Sequence, residues 1–153
     1  RQPWRIIIDS KLERPANSKI LNQADQSGVL IVCAELESPG SRERAKVFTE
    51  RGIEVIAMAN AFGKVDLPKL FAYLAKERHM NEIHVEAGFK LNGSLLREVC
   101  VDELLLYYAP FLMGEGIGMA NITPLAALDQ RQDWQIIDHS LFGSDLRLRL
   151  SKK

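Results

Sequence analysis

Apolar residues occur in short runs separated by polar stretches that carry proline and glycine, and the character of the runs alternates along most of the chain. Arg5-Ile6-Ile7-Ile8-Asp9 is compact and rich in β-branched residues, the signature of a buried strand ending at Asp9-Ser10. A polar stretch with Pro15 and Asn17 follows, and residues 28–34 then supply a second buried strand. Pro39-Gly40-Ser41 marks a turn, Ser41 is expected to cap a helix over 42–51, and Gly52 to stop it. Residues 53–57 read as a third strand. Asp66 should cap the next helix, with Pro68 in its first turn, Leu67, Leu70, Phe71, Leu74 and Ala75 on one face, and Asn81 at its end. Glu82-Ile83-His84-Val85-Glu86 predicts a fourth strand, followed by a helix from about Leu91 or Asn92 to about Cys100.

Strands with continuous rather than alternating apolar residues, separated by helices, imply a mainly parallel sheet covered on both faces. The pattern then changes. Residues 103–109 form a strand stopped by Pro110, and residues 134–141 and 145–150 make a hairpin around Gly143-Ser144, so antiparallel strands should join the sheet. Residues 114–129 carry glycines and weak periodicity and read as loop. No repeat, low-complexity tract or linker interrupts the chain, so residues 1–153 read as a single α/β domain with one core.

Composition narrows the function classes. The 153 residues are 46% apolar and 26% charged, an ordinary globular balance. Twenty basic residues against twenty acidic ones leave a formal net charge of zero, which offers no footprint for a nucleic-acid backbone. No apolar run nears the roughly 20 residues that cross a bilayer, and the first residues lack the apolar core of a secretory signal, so a soluble, cytosolic protein is expected. Cys33 and Cys100 read as small buried hydrophobes. His79, His84 and His139 show no zinc-site spacing, and no nucleophile elbow appears. Arg42, Glu43, Arg44, Lys46, Glu50 and Arg51 read as a solvated helix face.

One stretch stands out: Val85-Glu86-Ala87-Gly88-Phe89-Lys90-Leu91-Asn92-Gly93-Ser94-Leu95, where a strand should pass into a helix. Amides at a helix N-terminus are free to donate, and the helix dipole favours an anion there. Gly88 and Gly93 have Walker-like spacing, but Ser94 stands where the motif requires lysine, and the G-x-G-x-x-G dinucleotide fingerprint is absent. From pattern alone the stretch is equally a glycine turn that lets helix and strand pack. Glu86, at the expected carboxyl end of its strand, could meet substrate hydroxyl or amino groups or simply be solvated.

These residues resemble a known family. Val85-Glu86-Ala87-Gly88 with Leu91, Gly93 and Leu95, then Val101-Asp102-Glu103-Leu104 running into Tyr108-Ala109-Pro110 and Gly114, is similar to the reductase domain of the bifunctional riboflavin-biosynthesis deaminase/reductase (RibD C-terminal type). Arg5-Ile6-Ile7-Ile8-Asp9-Ser10 with Leu12 and Pro15, and Val65-Asp66-Leu67-Pro68, agree with it in the same order. The resemblance implies a dihydrofolate-reductase-like fold, a three-layer α/β/α arrangement with a mixed, mainly parallel sheet and a C-terminal antiparallel hairpin. It implies NADPH-dependent reduction of 5-amino-6-(5-phosphoribosylamino)uracil to the ribitylamino product. By motif position, the substrate-contacting glutamate falls on Glu86. The cofactor loop falls on Gly88, Phe89, Lys90, Leu91, Asn92, Gly93 and Ser94, and a nucleotide-contacting serine on Ser10. The preference for NADPH is inherited from the resemblance; Lys11, Arg14 and Lys19 are candidates for a 2′-phosphate. A homodimer stays open.

The sequence departs from the family's pattern in lacking the upstream part of the reductase domain and the zinc deaminase signature, and in placing Phe89 and Lys90 where smaller residues are usual. A fragment is therefore expected, one that can fold and dimerise yet fail to turn over substrate alone. Two other readings stay open: a non-catalytic α/β binding or self-association module, and a related reductase of the same fold acting on a pterin-like substrate.

Overall fold

The computed structural model describes residues 3–22 and 28–153. The chain divides into two compact units, Arg1–Asn81 and Glu82–Lys153.

The first unit is built on three parallel strands in the order β1-β2-β3: β1 (Arg5–Ile8), β2 (Val29–Cys33) and β3 (Glu54–Ala57). Register pairs Ile7 with Ile31 and Ile31 with Val55. All five residues of the central β2 are buried, which is why its sequence carries no polar alternation. Val29, Ile31 and Cys33 pack with Ile7, Leu12, Leu21, Ala45, Phe48 and Ile53 in one apolar cluster.

Helix α1 (Pro39–Thr49) connects β2 to β3. It starts earlier than the sequence suggests: Ser38, not Ser41, is the N-cap, its hydroxyl accepting the Ser41 N–H at 3.2 Å. Pro39 therefore lies in the first helical turn, where a missing N–H costs nothing. Gly52 ends the helix in the left-handed region (φ 73°), and the Ile53 N–H returns to the Phe48 carbonyl at 3.1 Å, closing a Schellman stop. Helix α2 (Leu67–Lys76) begins as expected, the Asp66 carboxylate accepting the Lys69 N–H at 3.0 Å, and buries Leu67, Leu70 and Leu74. Its end differs from the expected Asn81: Glu77 is the C-cap and His79 turns left-handed (φ 53°). Nearby, the Arg78 guanidinium lies 5.4 Å from the ring centres of both Trp4 and Tyr73 and pairs with Glu54, tying the helix end to β3.

The fourth strand expected at residues 82–86 does not form. Residues 82–88 join no ladder among the described residues, and Val85 is 43% exposed. β-branched content favours extended backbone; only a partner makes it a strand.

The second unit opens with helix α3 (Phe89–Arg97), which again starts earlier than expected, and continues into an antiparallel sheet of order β4-β6-β5. Strand β4 is Glu103–Tyr108, β5 is Trp134–Phe142 and β6 is Asp145–Lys152. The hairpin turns at Gly143 (φ 63°), and β5 carries a bulge between Ile136 and Asp138. The long span between β4 and β5 is irregular apart from a short 3-10 turn at Leu128–Gln130. Cys33 is buried as expected; Cys100 is only half-buried.

Candidate functional site

Open α/β sheets place ligands beyond the carboxyl ends of their parallel strands. In the first unit that edge holds a cavity of about 320 Å³, with Ser10 beyond β1, Ala34 and Glu35 beyond β2, and Ala59 beyond β3. A tight turn presents the first wall. The Asp9 carboxylate accepts the N–H groups of Glu13 and Arg14 at 3.1 and 2.8 Å, and Leu12 takes a left-handed conformation (φ 55°) while burying its side chain. This places Ser10 and Lys11 at the cavity. The Ser10 hydroxyl oxygen accepts the Val65 N–H at 3.4 Å, which leaves its proton free to donate.

Glu35 forms the second wall by closing over the start of α1. Its carboxylate accepts the Glu37 and Ser38 N–H groups at 2.8 and 3.0 Å, and the Ser38 and Ser41 hydroxyls at 3.0 and 3.1 Å. The backbone N–H of Ser38, then that of Glu37, hold this carboxyl down at about 2, so it is an anion throughout the neutral range. The Glu35 carboxylate thereby fills the anion position at the mouth of α1. Arg44 reaches the cavity from one and a half turns into the helix, its Nε donating to the Lys11 carbonyl at 3.1 Å.

A separate feature lies at the start of α3 in the second unit. Gly88 is the N-cap with no side chain to offer, so the N–H groups of Phe89, Lys90 and Leu91 have no acceptor within the helix. Its backbone angles (φ −87°, ψ 175°) suit any residue, and a Cβ built there would meet nothing within 4 Å. The fold itself thus makes no demand for glycine at 88. Gly93 is the opposite case. It is buried inside α3, and a Cβ there would lie 2.2 Å from the Asn121 carbonyl oxygen, so helix and loop touch backbone to backbone.

The predicted residues divide accordingly. Ser10 lines the cavity of the first unit. In the second unit, Glu86, Gly88, Phe89 and Lys90 are exposed around the uncapped start of α3, and Leu91 is half-buried. The Glu86 carboxylate lies 3.5 Å from His84 Nε2. Asn92, Gly93 and Ser94 lie further into the helix and are engaged with the chain itself. The Asn92 amide donates to the Ala87 and Met119 carbonyls at 3.1 and 2.9 Å; Ser94 accepts from Arg97, which also donates to the Asn121 carbonyl. Sequence reasoning missed Glu35 and Arg44. A signal for Arg44 existed: it flanks the buried face set by Ser41, Ala45 and Phe48 at helical spacing, so it borders the sheet edge rather than open solvent.

The family model described as RibD C-terminal domain matches residues 1–148, spanning both units. The riboflavin biosynthesis protein RibD of Haemophilus influenzae is 31% identical over 154 residues, covering 100% of this chain and 38% of that protein. The solved structure of Acinetobacter baumannii RibD superposes with a TM-score of 0.76 at 24% identity, over 97% of this chain and 37% of that one. The riboflavin biosynthesis reductase Rib7 of Saccharomyces cerevisiae gives 0.66 at 18% identity, over 99% and 73%. The likeness to these structures establishes the α/β fold of such reductase domains, dihydrofolate-reductase-like, with its parallel and antiparallel ladders both present here. The chain spans well under half the length of the RibD proteins it matches. Among the described residues no helix is long and apolar enough to cross a membrane, and no three His, Cys, Asp or Glu side chains cluster as metal ligands.

Proposed function

Because the chain belongs to the RibD C-terminal domain family, we propose that it is reductase machinery of riboflavin biosynthesis, reducing 5-amino-6-(5-phosphoribosylamino)uracil to its ribitylamino product with NADPH. The observation that carries this reading is the uncapped start of α3: unspent amide donors, a glycine the fold does not need, and the exposed carboxylate of Glu86 beside them in sequence. A nicotinamide dinucleotide fits this chemistry, since its phosphates are anions and the first turn of a helix offers amides and a favourable dipole. When bound, the dinucleotide supplies the hydride that reduces the first carbon of the opened sugar.

The chain's own residues hold and orient. The amides of Phe89, Lys90 and Leu91 take the pyrophosphate, with Lys90 adding a cation. Glu86 accepts hydrogen bonds from hydroxyl or amino groups of the substrate. Within the first unit, Ser10 offers a hydroxyl donor to a nucleotide group at the cavity it lines. None of these groups needs to become covalently attached, because the rate of a hydride transfer rests on holding donor and acceptor carbons at near-attack distance. The two compact units are read as parts of one reductase domain, as the span of the family model suggests.

The test is NADPH oxidation by the intact protein in the presence of the aminopyrimidine phosphate, with two variants. Gly88→Leu should leave the fold within about 1 kcal/mol, the cost of a poor N-cap, and weaken dinucleotide binding by about tenfold or more, because the added side chain stands where a phosphate would approach the amides. Glu86→Gln should impair substrate use and leave cofactor affinity nearly unchanged. Loss of both in equal measure would show the carboxylate role to be wrong, and a folded wild-type protein that oxidises no NADPH would remove the reading altogether.

A further inference from the structure

Residues 109–133 join β4 to β5 with one short 3-10 turn, Leu128–Gln130, between them. Connections longer than about 12–15 residues with no secondary structure of their own are uncommon in a compact unit, and many are lids or binding loops. This one is held unevenly. The Asn121 N–H donates to the Phe89 carbonyl at 2.9 Å, the Asn121 carbonyl accepts from Arg97, and the Met119 carbonyl accepts the Asn92 amide at 2.9 Å. Upstream, the Phe111 N–H donates to the Ala109 carbonyl at 2.9 Å, a tight turn at the end of β4. Between these two ties, no hydrogen bond among the described residues joins residues 112–118 to the rest of the chain.

The make-up of that span is unusual for a solvated loop. Phe111, Leu112, Met113, Ile117 and Met119 are all exposed. A run of exposed apolar side chains marks a surface that is covered in another state or by another molecule. Glycine supplies the freedom to change state: Gly114 sits in the left-handed region (φ 83°), and a Cβ built at Gly116 would meet nothing within 4 Å, so no packing demand explains glycine there. The downstream tie decides where the span can go. A Cβ built on Gly118 would stand 3.9 Å from Phe89 Cε2, and Phe89 is the first residue of α3. The free span therefore departs from beside the helix turn whose amides have no acceptor within the helix. Folded back on itself, it reaches about 10 Å from Gly118, roughly two helical turns.

We propose that residues 111–118 are a lid, hinged at Gly114 and Gly116, that closes over the first turn of α3 when a phosphate-bearing ligand is held there, with Phe111, Leu112, Met113 and Ile117 as the surface it buries on closing. The proposal rests on the reductase reading above and adds a conformational step at its α3 subsite, using residues of the second unit alone. Apolar side chains drawn over the turn displace water from the amides of Phe89, Lys90 and Leu91, and an N–H to phosphate bond strengthens as its surroundings become less polar. Without the ligand, the entropy cost of ordering the span keeps the lid open; contacts with the ligand tip the balance.

The experiment is hydrogen exchange of the intact protein read by mass spectrometry, with and without saturating NADPH, binding being followed separately by cofactor fluorescence. In the free protein the amides of residues 112–118 should exchange at close to the unprotected rate, since nothing holds them. Saturating NADPH should slow them about tenfold or more, and chymotrypsin cleavage after Phe111, Leu112 and Met113 should slow in parallel. The double variant Leu112→Ser, Met113→Ser removes apolar surface without touching the folded core. It should cut the protection to about twofold and weaken NADPH about tenfold, the scale of two apolar side chains left unburied. Unchanged exchange of residues 112–118 while NADPH binds, or undiminished protection in the double variant, would overturn the lid and leave the reductase reading intact. So would protection of these amides in the free protein that rises with protein concentration, because a second copy would then be what covers them. A protein that binds no NADPH would overturn both.

Discussion

The two compact units solve the problem of burying apolar surface in contrasting ways. In the parallel unit every residue of β2 is buried, and Leu30, Ile31, Val32 and Cys33 have no exposed surface at all. In the antiparallel unit no residue of β4, β5 or β6 is fully buried; Leu104, Leu106, Leu148 and Leu150 share one face and are only half-covered. The opposite face is stitched by ion pairs, Arg149 gripping Glu103 with two bonds of 2.8 and 2.9 Å and Arg147 holding Asp138 at 2.6 Å. The parallel sheet thus lies inside an apolar core, whereas the antiparallel sheet is half-covered and the second unit's buried apolar residues, Leu95 and Leu96, lie on α3. The comparison teaches that an α/β chain need not distribute its stability evenly, and it makes quantitative demands.

The largest effect should come from the buried unit. Leu70→Ala removes a side chain that is 1% exposed and should cost about 2–5 kcal/mol in urea unfolding. Leu148→Ala, on the half-covered face, should cost about 1 kcal/mol. Equal losses would erase the distinction. Next comes the acid limb. The folded Glu35 carboxyl titrates at about 2, below its ordinary 4.5, so the folded state binds fewer protons than the unfolded chain between those values. Its stabilising contribution is present above the ordinary value and fades as pH falls through that window. Glu35→Gln should therefore flatten the pH dependence of the unfolding temperature there while lowering that temperature at neutral pH. An unchanged acid slope would show that the α1 cap is not what the acid attacks. The smallest effect is a gain. Val99 ends α3 in the left-handed region (φ 57°), with the Cys100 N–H returning to Leu95 at 2.9 Å, a position that suits glycine. Val99→Gly should raise stability by about 1 kcal/mol, read as a higher thermal midpoint.

What was legible in the sequence was what is local. Asp66 capped its helix and Gly52 stopped another as read, because each acts within a few residues of itself. The start of α1 was misplaced for an equally local reason: Pro39-Gly40 was read as a turn, although proline is at home in the first turn of a helix. The strand expected at residues 82–86 failed for a different reason, since composition sets the backbone's preference but a ladder needs a neighbour that no window of sequence contains. The site divides along the same line. Ser10 came only from the family resemblance, and the start of α3 was marked by its glycines where strand character gives way to a helix. Arg44 was hidden among the charges of a helix face, because only the packed fold shows which of those charges reaches the sheet edge. Gly93 carried two meanings that sequence could not separate, and geometry assigns it to helix-against-loop contact.

That contact has a consequence for the long crossing from β4 to β5. Asn121 is moored from three sides: its N–H donates to the Phe89 carbonyl at 2.9 Å, its carbonyl accepts from Arg97, and its backbone lies flat on Gly93. A mooring midway turns one long span into two short ones, and because the entropy of closing a span grows only with the logarithm of its length, each half keeps most of its own latitude. Insertions on either side of residue 121 should thus be absorbed as slack, while a single methyl group added at residue 93 would cast off the line.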